Sequence, residues 1–167
     1  MTVNDRIQIL LVEDDPDDVE LMSEVLRETK IPSDLHVAMD GEEALHLLHR
    51  EGGFASAPVP DVVLLDLNLP KKDGRQVLAE IKSNPSLRSI PVIVMTTSGA
   101  EQDVLEAYDK HANAFVRKPV GYTALLDVVR SIEHFWIGSA LLPARGPKES
   151  SQTVQACRVD AHDRGVS

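Results

Sequence analysis

The sequence has one cysteine, Cys157, and no apolar run long enough to span a membrane. A single cysteine cannot form a disulfide within the chain, which excludes a disulfide-stabilised fold and fits a reducing compartment. A membrane helix needs about 20 consecutive apolar residues. The first residues, MTVNDRIQILLVEDD, lack the apolar stretch behind basic residues that marks a signal peptide. We therefore expect a cytoplasmic protein with no membrane partner.

Basic residues are also few: 17 lysines and arginines stand against 27 aspartates and glutamates, which gives a net charge of −10. A nucleic-acid-binding surface needs clustered lysine and arginine to neutralise phosphates, so we expect no nucleic acid partner. The balance favours a partner with a basic patch, or a divalent cation. The 167 residues suffice for one domain with a sizeable core and a modest extension.

What the sequence does contain is a regular alternation of short apolar runs and longer segments with helical spacing. The first run, IQILLV at 7–12, is continuous, as expected of a strand that is covered on both faces. Similar runs at 35–39, 61–66, 91–96 and 114–119 predict four more strands, and the other segments predict five helices. This alternation predicts an α/β fold with a doubly wound, five-stranded parallel sheet.

Acidic, hydroxyl and basic side chains follow the ends of four predicted strands. The first strand ends at Glu13 and Asp14, the third at Asp66, the fourth at Thr96 and the fifth at Lys118. In an open parallel sheet, ligands lie beyond the carboxyl ends of the strands, so these side chains should meet at one edge. Several carboxylates in one place repel one another unless a hard cation such as Mg²⁺ compensates.

Each of these features also has a purely structural interpretation. EDDPDD, residues 13–18, fits the start of a helix, with Asp15 as N-cap and Pro16 in the first turn. Lys118 alone fits a solvated charge at the rim. Asp66 is harder to explain in this way, because apolar residues precede and follow it and a buried, unpaired carboxylate is costly. The capping and functional interpretations are compatible.

The motifs LLVEDD, LLDLNLPKKDG, PVIVMTTS and FVRKP occur in an order and spacing that resemble the receiver domain of two-component response regulators. The resemblance covers about residues 7–137. It implies the flavodoxin-like (βα)5 fold, a role in a phosphorelay, a sensor histidine kinase as partner and Mg²⁺ as cofactor. It also implies that the chain is not an enzyme, since a receiver catalyses only its own phosphorylation and dephosphorylation.

The same resemblance assigns the phosphoacceptor and the metal ligands. Asp66 is implied as the phosphoacceptor, and Asp14 as the main acidic Mg²⁺ ligand, with Glu13 assisting through water. A carboxylate oxygen of Asp66 and the backbone carbonyl of Asn68 complete the implied ligand set. The chemistry agrees, because phosphoryl transfer to an aspartate needs an in-line carboxylate and a cation that offsets charge on the equatorial oxygens.

A second set of residues is implied to contact the phosphoryl group or to respond to it. Thr96 is the implied switch hydroxyl, Lys118 the lysine that neutralises a phosphoryl oxygen, and Phe115 the switch aromatic. The bond between Lys118 and Pro119 is implied to be cis. An inward movement of Thr96 would vacate space for the ring of Phe115 and repack the face of helix four, strand five and helix five. A static Phe115 in the core is the alternative.

Toward the C-terminus we expect a receiver domain at 1–142 with an extended last helix, and a flexible or peripheral tail at 143–167. Too little chain follows for an output domain, so we expect a stand-alone regulator that signals by contact. Val128, Phe135 and Leu142 recur at seven-residue steps, which predicts a homodimer through the last helix. Here the sequence resembles single-domain regulators paired with bacterial phytochrome histidine kinases. A C-terminal segment that folds back on its own domain is the alternative.

Three other functions are compatible with this fold class but fit the residues less well. An aspartate-nucleophile phosphatase needs a second aspartate two positions after the nucleophile, where this chain has Asn68, and its acidic metal ligands follow the nucleophile. A flavin-binding protein needs a loop of hydroxyls and amides after strand one, where EDDPDD would repel the phosphate. A pseudo-receiver scaffold would lack the acids. None of the six histidines is placed as a phosphodonor, so that histidine must come from the kinase.

Overall fold

The computed structural model describes residues 6–97 and 100–135. Within these ranges, five strands alternate with five α-helices, and a short 3-10 helix (Gly52–Phe54) follows the second α-helix. In chain order the elements are β1 (Ile7–Val12), α1 (Pro16–Glu28), β2 (Ser33–Ala38), α2 (Gly41–His49), β3 (Val62–Leu65), α3 (Gly74–Ser83), β4 (Val92–Thr96), α4 (Glu101–Asp109), β5 (Ala114–Arg117) and α5 (Tyr122–Ile132). No helix in the described ranges has the length and apolar character needed to cross a membrane.

The strands form one sheet in the order β2-β1-β3-β4-β5, and every neighbouring pair is parallel. The chain winds outward from β1 in one direction to β2 and in the other direction through β3 to β5. This order confirms the predicted doubly wound, five-stranded parallel sheet. It also puts a topological switch point between β1 and β3, which is where sheets of this kind bind ligands.

Two apolar clusters, one on each face of the sheet, form the core. Helices α1 and α5 contribute to one cluster, and α2, α3 and α4 contribute to the other. Successive residues of β3 point to opposite faces, so Val62 and Leu64 join the first cluster while Val63 and Leu65 join the second. This burial on both faces explains why the strands read as continuous apolar runs.

The start of α1 lies directly beyond the end of β1 and is fixed by capping. The side chain of Asp15 accepts a hydrogen bond from the backbone N–H of Asp17 at 2.9 Å, and Pro16 occupies the first turn. This confirms the predicted N-cap. The short connection brings Glu13, at the end of β1, and Asp18, in the first turn of α1, to the same edge of the sheet.

Helices α4 and α5 bury fewer apolar side chains than their spacing indicates. In α4, Leu105 and Tyr108 are 55% and 50% exposed, and Ala107 is the buried residue. In α5, Leu125 is buried in the cluster between α1, α5 and the sheet, whereas Tyr122 is exposed. Apolar spacing therefore locates both helices, but it does not identify every residue that each one buries.

Gly74, the first residue of α3, passes so close to the loop between β3 and α3 that no larger residue fits. A Cβ atom at this position would lie 2.1 Å from the carbonyl oxygen of Asp66 and 2.6 Å from the Cα atom of Leu67. We expect Gly74→Ala to lower the free energy of unfolding by about 1–3 kcal/mol, because the backbone must shift to relieve the overlap. Denaturant titration measures this loss.

Gly53→Ala provides the matched control for that substitution. A Cβ atom at Gly53 would have no atom within 4 Å, so this variant adds the same methyl group without an overlap. We expect its stability to stay within about 0.5 kcal/mol of the wild type. An equal loss of stability in the two variants would show that the close approach at Gly74 is not what requires glycine.

Candidate functional site

Four strand ends meet at one edge of the sheet and carry the predicted site. Glu13 follows β1, Asp66 follows β3, Thr96 ends β4 and Lys118 follows β5. The last residues of β1 and β3 are register partners, and so are the last residues of β4 and β5. The side chains that follow them therefore lie at the same height of the sheet, as the sequence predicted.

Three carboxylates at this edge form an acidic group, which we define as Glu13, Asp14 and Asp66. One carboxylate oxygen from each residue lies within 4.8 Å of the others. Glu13 and Asp66 are buried, at 3% and 8% exposure, whereas Asp14 is exposed. Three clustered oxygen donors suit a hard divalent cation such as Mg²⁺, and the exposed Asp14 would let such a cation enter from solvent.

The ammonium group of Lys118 connects this acidic group to α1. Its Nζ donates hydrogen bonds to Oε2 of Glu13 at 2.5 Å, to Oδ2 of Asp18 at 2.9 Å and to Oδ2 of Asp66 at 3.3 Å. The lysine is not a solvated rim charge, because its side chain is only 15% exposed. It is the positive charge that meets the buried carboxylate of Asp66.

The sequence does not identify Asp18 as a site residue, although EDDPDD contains it. The acidic residues of this motif are interpreted from the sequence as metal ligands or as helix caps. The proline after Asp15 is the available signal, because it starts α1 at once and thereby turns the next residues back toward the strand ends. That Asp18 reaches Lys118, 100 residues later, follows only from the packed structure.

Burial and ion pairing shift the pKa values of Glu13 and Lys118. Burial raises the pKa of Glu13 to about 7, although hydrogen bonds from Lys118 and from the backbone of Asp15 lower it in part. Burial alone would lower the pKa of Lys118, but hydrogen bonds to Glu13 and Asp18 and the charge of Asp66 raise it above its ordinary value. Lys118 therefore stays positively charged, whereas burial makes the ionised form of Glu13 less favourable.

The loop between β3 and α3 holds the carboxylate of Asp66 at the edge of the sheet. Its Oδ1 accepts a hydrogen bond from the backbone N–H of Asn68 at 3.1 Å. The residue between them, Leu67, is fully buried, and its carbonyl accepts a hydrogen bond from the N–H of Gly74 at 2.9 Å. The loop is thus anchored in the core on one side while Asn68 is exposed on the other. The metal-ligand role of the Asn68 carbonyl stays a prediction.

Thr96 and Phe115 lie on the same face of the sheet. Phe115 is the register partner of Val94, and both pack in the cluster beneath α2, α3 and α4. Thr96 lies two residues after Val94, so its side chain points to that face as well. Thr96 is fully buried, and its carbonyl accepts a hydrogen bond from the N–H of Lys118 at 2.7 Å. Phe115 is half-buried, a position that fits both a switch residue and a static core residue.

The predicted cis bond before Pro119 is wrong for this structure. The residues that the structure describes contain no cis peptide bond, so Lys118 and Pro119 are joined in trans. The trans form is the lower in energy for such bonds, by about 0.5–1 kcal/mol. The trans backbone places the ammonium of Lys118 against its three carboxylates, so the observed contacts of this lysine do not require the cis form.

The predicted dimer residues have different environments. Val128 is half-buried and packs against the cluster between α1, α5 and the sheet, so its own domain covers part of it. Phe135 is 58% exposed. Leu142 lies outside the described residues, as do the predicted helix extension and the boundary between 142 and 143.

The parallel α/β sheet gathers acids, a buried hydroxyl and a lysine at one edge, as expected for the receiver domain that the sequence motifs resemble. Comparison with known families gives the same class. The chain belongs to the response regulator receiver domain family, whose sequence model matches residues 9–130. This confirms the resemblance found in the sequence motifs.

The individual relatives that match this chain are themselves response regulators. The chain is 47% identical over 136 residues to response regulator Rcp1 of Synechocystis sp., a match that spans 81% of this chain and 92% of Rcp1. The crystal structure of the Mn²⁺-bound form of Rcp1 superposes with a TM-score of 0.78 at 46% identity, over 83% of this chain and 99% of that chain. The crystal structure of the phosphorylated cyanobacterial phytochrome response regulator RcpA superposes with a TM-score of 0.80, at the same identity and coverage.

Proposed function

We propose that this chain is a single-receiver response regulator that accepts a phosphoryl group on Asp66 from a sensor histidine kinase in a Mg²⁺-dependent reaction. One observation carries the proposal: the carboxylate oxygens of the acidic group lie within 4.8 Å of one another, with the ammonium of Lys118 beside Asp66. The likeness to RcpA, a phytochrome response regulator, supports a phytochrome-type kinase as the partner. The mass gained from acetyl phosphate and Mg²⁺ tests the proposal.

The chemistry follows from the arrangement of the side chains. A carboxylate oxygen of Asp66 attacks phosphorus in line, the new O–P bond forms, and the bond from phosphorus to the donor nitrogen or oxygen breaks with its electron pair on the donor. When bound by the acidic group, Mg²⁺ supplies positive charge that offsets the charge on the reacting oxygens. Lys118 donates a hydrogen bond to a further phosphoryl oxygen, and the hydroxyl of Thr96 donates to another.

The signal then passes through α4, β5 and α5. Thr96 and Phe115 share a face of the sheet, so an inward movement of Thr96 changes the space available to the half-buried ring. Helix α4 contributes little to the core, since Ala107 is its buried residue. At the surface, an ion pair at 2.6 Å joins Asp103 of α4 to Arg75 of α3. A helix held in this way can shift without disrupting the sheet.

The role of Phe115 is tested by its truncation. In the wild type, beryllofluoride with Mg²⁺ is expected to shift the amide NMR signals of α4, β5 and α5, and in Phe115→Ala most of these shifts should be lost because no ring is there to move. Phe54→Ala is the control, since Phe54 is also partly buried against the same cluster but lies on the 3-10 helix. Identical responses of wild type and Phe115→Ala would mean that the ring is a static part of the core.

We also propose that the chain forms a homodimer through α5 and the residues that directly follow it, with Phe135 at its seam. Truncated interface anchors typically cost about 2 kcal/mol or more, so Phe135→Asp should weaken dimerisation by at least about 30-fold. Light scattering at micromolar concentration measures the mass. Tyr108→Asp, which changes an aromatic residue of similar exposure on α4, should leave the dimer intact. A wild-type monomer whose mass Phe135→Asp does not change would contradict the proposal.

The alternatives from the sequence are less well supported by the site. A phosphatase would need a general acid two positions after Asp66, and the amide of Asn68 cannot supply a proton in this role. A pseudo-receiver would not need to gather the acidic group beside a buried lysine. We therefore favour phosphoryl acceptance, with the protein acting on no substrate beyond its own aspartyl phosphate.

A further inference from the structure

Asp18 is a charged neighbour of the site to which the proposed function gives no role. It belongs to the first turn of α1, and its Oδ2 accepts a hydrogen bond from Nζ of Lys118 at 2.9 Å. An ammonium group has three N–H donors, and Lys118 directs one to each of Asp18, Glu13 and Asp66. Asp18 therefore completes the set of acceptors around this lysine.

Two of these three acceptors also belong to the acidic group. Glu13 and Asp66 are members of the acidic group and also form ion pairs with Lys118. Asp14 is a member of the acidic group only, and Asp18 only forms an ion pair with Lys118. Once a cation and a phosphoryl group bind, the oxygens of Glu13 and Asp66 are shared or occupied. Asp18 is then the carboxylate that the ammonium can keep as a partner in every state of the site.

The surroundings of Lys118 offer its ammonium no good alternative position. Lys118 and Asp18 line a cavity of about 30 Å³, which is room for about one water molecule. Glu13 and Asp66 line it too, and its remaining side chains are apolar, among them Leu21, Met22 and Leu125. An ammonium that moved away from the three carboxylates toward these apolar walls would lose hydrogen bonds that the walls cannot replace.

From this geometry we infer that Asp18 is a positioning residue for phosphoryl transfer. It holds the ammonium of Lys118 next to Asp66, so that the lysine meets the incoming phosphoryl group and does not compete with the cation for Glu13 and Asp66. The inference rests on the proposed function, because it gives Asp18 a role in the same reaction. The negative charge of Asp18 also suits the first turn of α1, where the helix dipole favours a carboxylate.

Two isosteric substitutions in the same helical turn distinguish the loss of the hydrogen bond between Asp18 and Lys118 from the general effect of removing a negative charge. Asp18→Asn and Asp17→Asn each remove one negative charge, but only Asp18 is bonded to Lys118, while Asp17 is exposed. At saturating Mg²⁺, we expect Asp18→Asn to slow phosphorylation by acetyl phosphate about tenfold, as is typical when a supporting partner of a site is lost. Asp17→Asn should stay within about twofold of the wild type.

The NMR signal of the Lys118 ammonium provides a readout that a merely structural role would not move. The held ammonium should give a slowly exchanging ¹⁵N signal in the wild type and in Asp17→Asn, and exchange should accelerate in Asp18→Asn. Asp18→Glu keeps the carboxylate and should restore the signal and most of the rate. Circular dichroism checks that each variant is folded.

The outcomes distinguish this inference from the proposed function. If the wild type takes up a phosphoryl group and Asp18→Asn matches Asp17→Asn in rate and in ammonium exchange, the positioning role is wrong and the proposed function stands. A slower Asp18→Asn with unchanged ammonium exchange also overturns the positioning role. If the wild type takes up no phosphoryl group, the proposed function fails and the inference fails with it.

Discussion

Asp66→Asn is expected to abolish phosphoryl uptake: after incubation with acetyl phosphate and Mg²⁺, the wild type should gain the mass of one phosphoryl group and the variant should gain none. The carboxylate of Asp66 is the buried acid at the end of β3, bonded to Lys118 through one oxygen and to the N–H of Asn68 through the other. An amide has nearly the same shape but is a very weak nucleophile. Loss of a nucleophile should cost at least about a thousandfold in rate.

Asp61→Asn is the matched control for that experiment. Asp61 is a buried aspartate at the other end of the same strand, and its Oδ2 accepts a hydrogen bond from the N–H of Gln8 at 2.7 Å. The carbonyl oxygen of an asparagine can accept the same bond, so the fold should persist and labelling should match the wild type. Equal labelling of wild type and Asp66→Asn would place the phosphoryl group on another residue.

The second large effect is expected for metal binding. Asp14→Asn removes the exposed carboxylate of the acidic group, whereas Glu13 and Asp66 are already bonded to Lys118. A unit charge about 4 Å away is worth several kcal/mol near a protein surface. Part of this is recovered from solvent, so we expect Mg²⁺ affinity to fall by about a hundredfold, or about 2.7 kcal/mol. Isothermal titration calorimetry measures the change, with Mn²⁺ as a second probe ion.

Asp15→Asn is the control for the loss of charge next to Asp14. Asparagine caps helices about as well as aspartate, so the start of α1 should be preserved while one negative charge is removed. Its effect on Mg²⁺ affinity should be no more than a fewfold, because Asp15 is not part of the acidic group. A similar loss in both variants would mean that the general negative potential of this loop, and not coordination by Asp14, attracts the cation.

The sequence is sufficient to predict the fold and the edge of the sheet that carries the site. Continuous apolar runs mark strands that are buried on both faces, and β3 shows why, since its alternate residues join opposite clusters. Parallel strands bring their carboxyl ends to one edge of the sheet. The positions of the strand ends in the sequence therefore predict that Glu13, Asp66 and Lys118 lie together. Their proximity in the structure agrees with that prediction.

What the sequence cannot provide depends on packing between elements that are distant in the chain. The bond between Asp18 and Lys118 requires the orientation of α1 relative to β5, which no local pattern encodes. Helical spacing puts Val128 on an outer face of α5, but Val128 packs in part against the cluster between α1, α5 and the sheet. The isomer of the bond before Pro119 is implied by the family resemblance alone, and here the structure differs.

The dependence of phosphorylation rate on Mg²⁺ concentration tests the account most directly, because it joins the acidic group to the chemistry of Asp66. Intact-mass time courses with acetyl phosphate, from a chelated sample upward, should give a rate that is negligible without metal and saturates at the Mg²⁺ concentration that fills the site in calorimetry. Asp14→Asn should move the midpoints of both curves together. A rate that is unchanged by chelation, or a rate midpoint unrelated to the binding midpoint, would contradict the account.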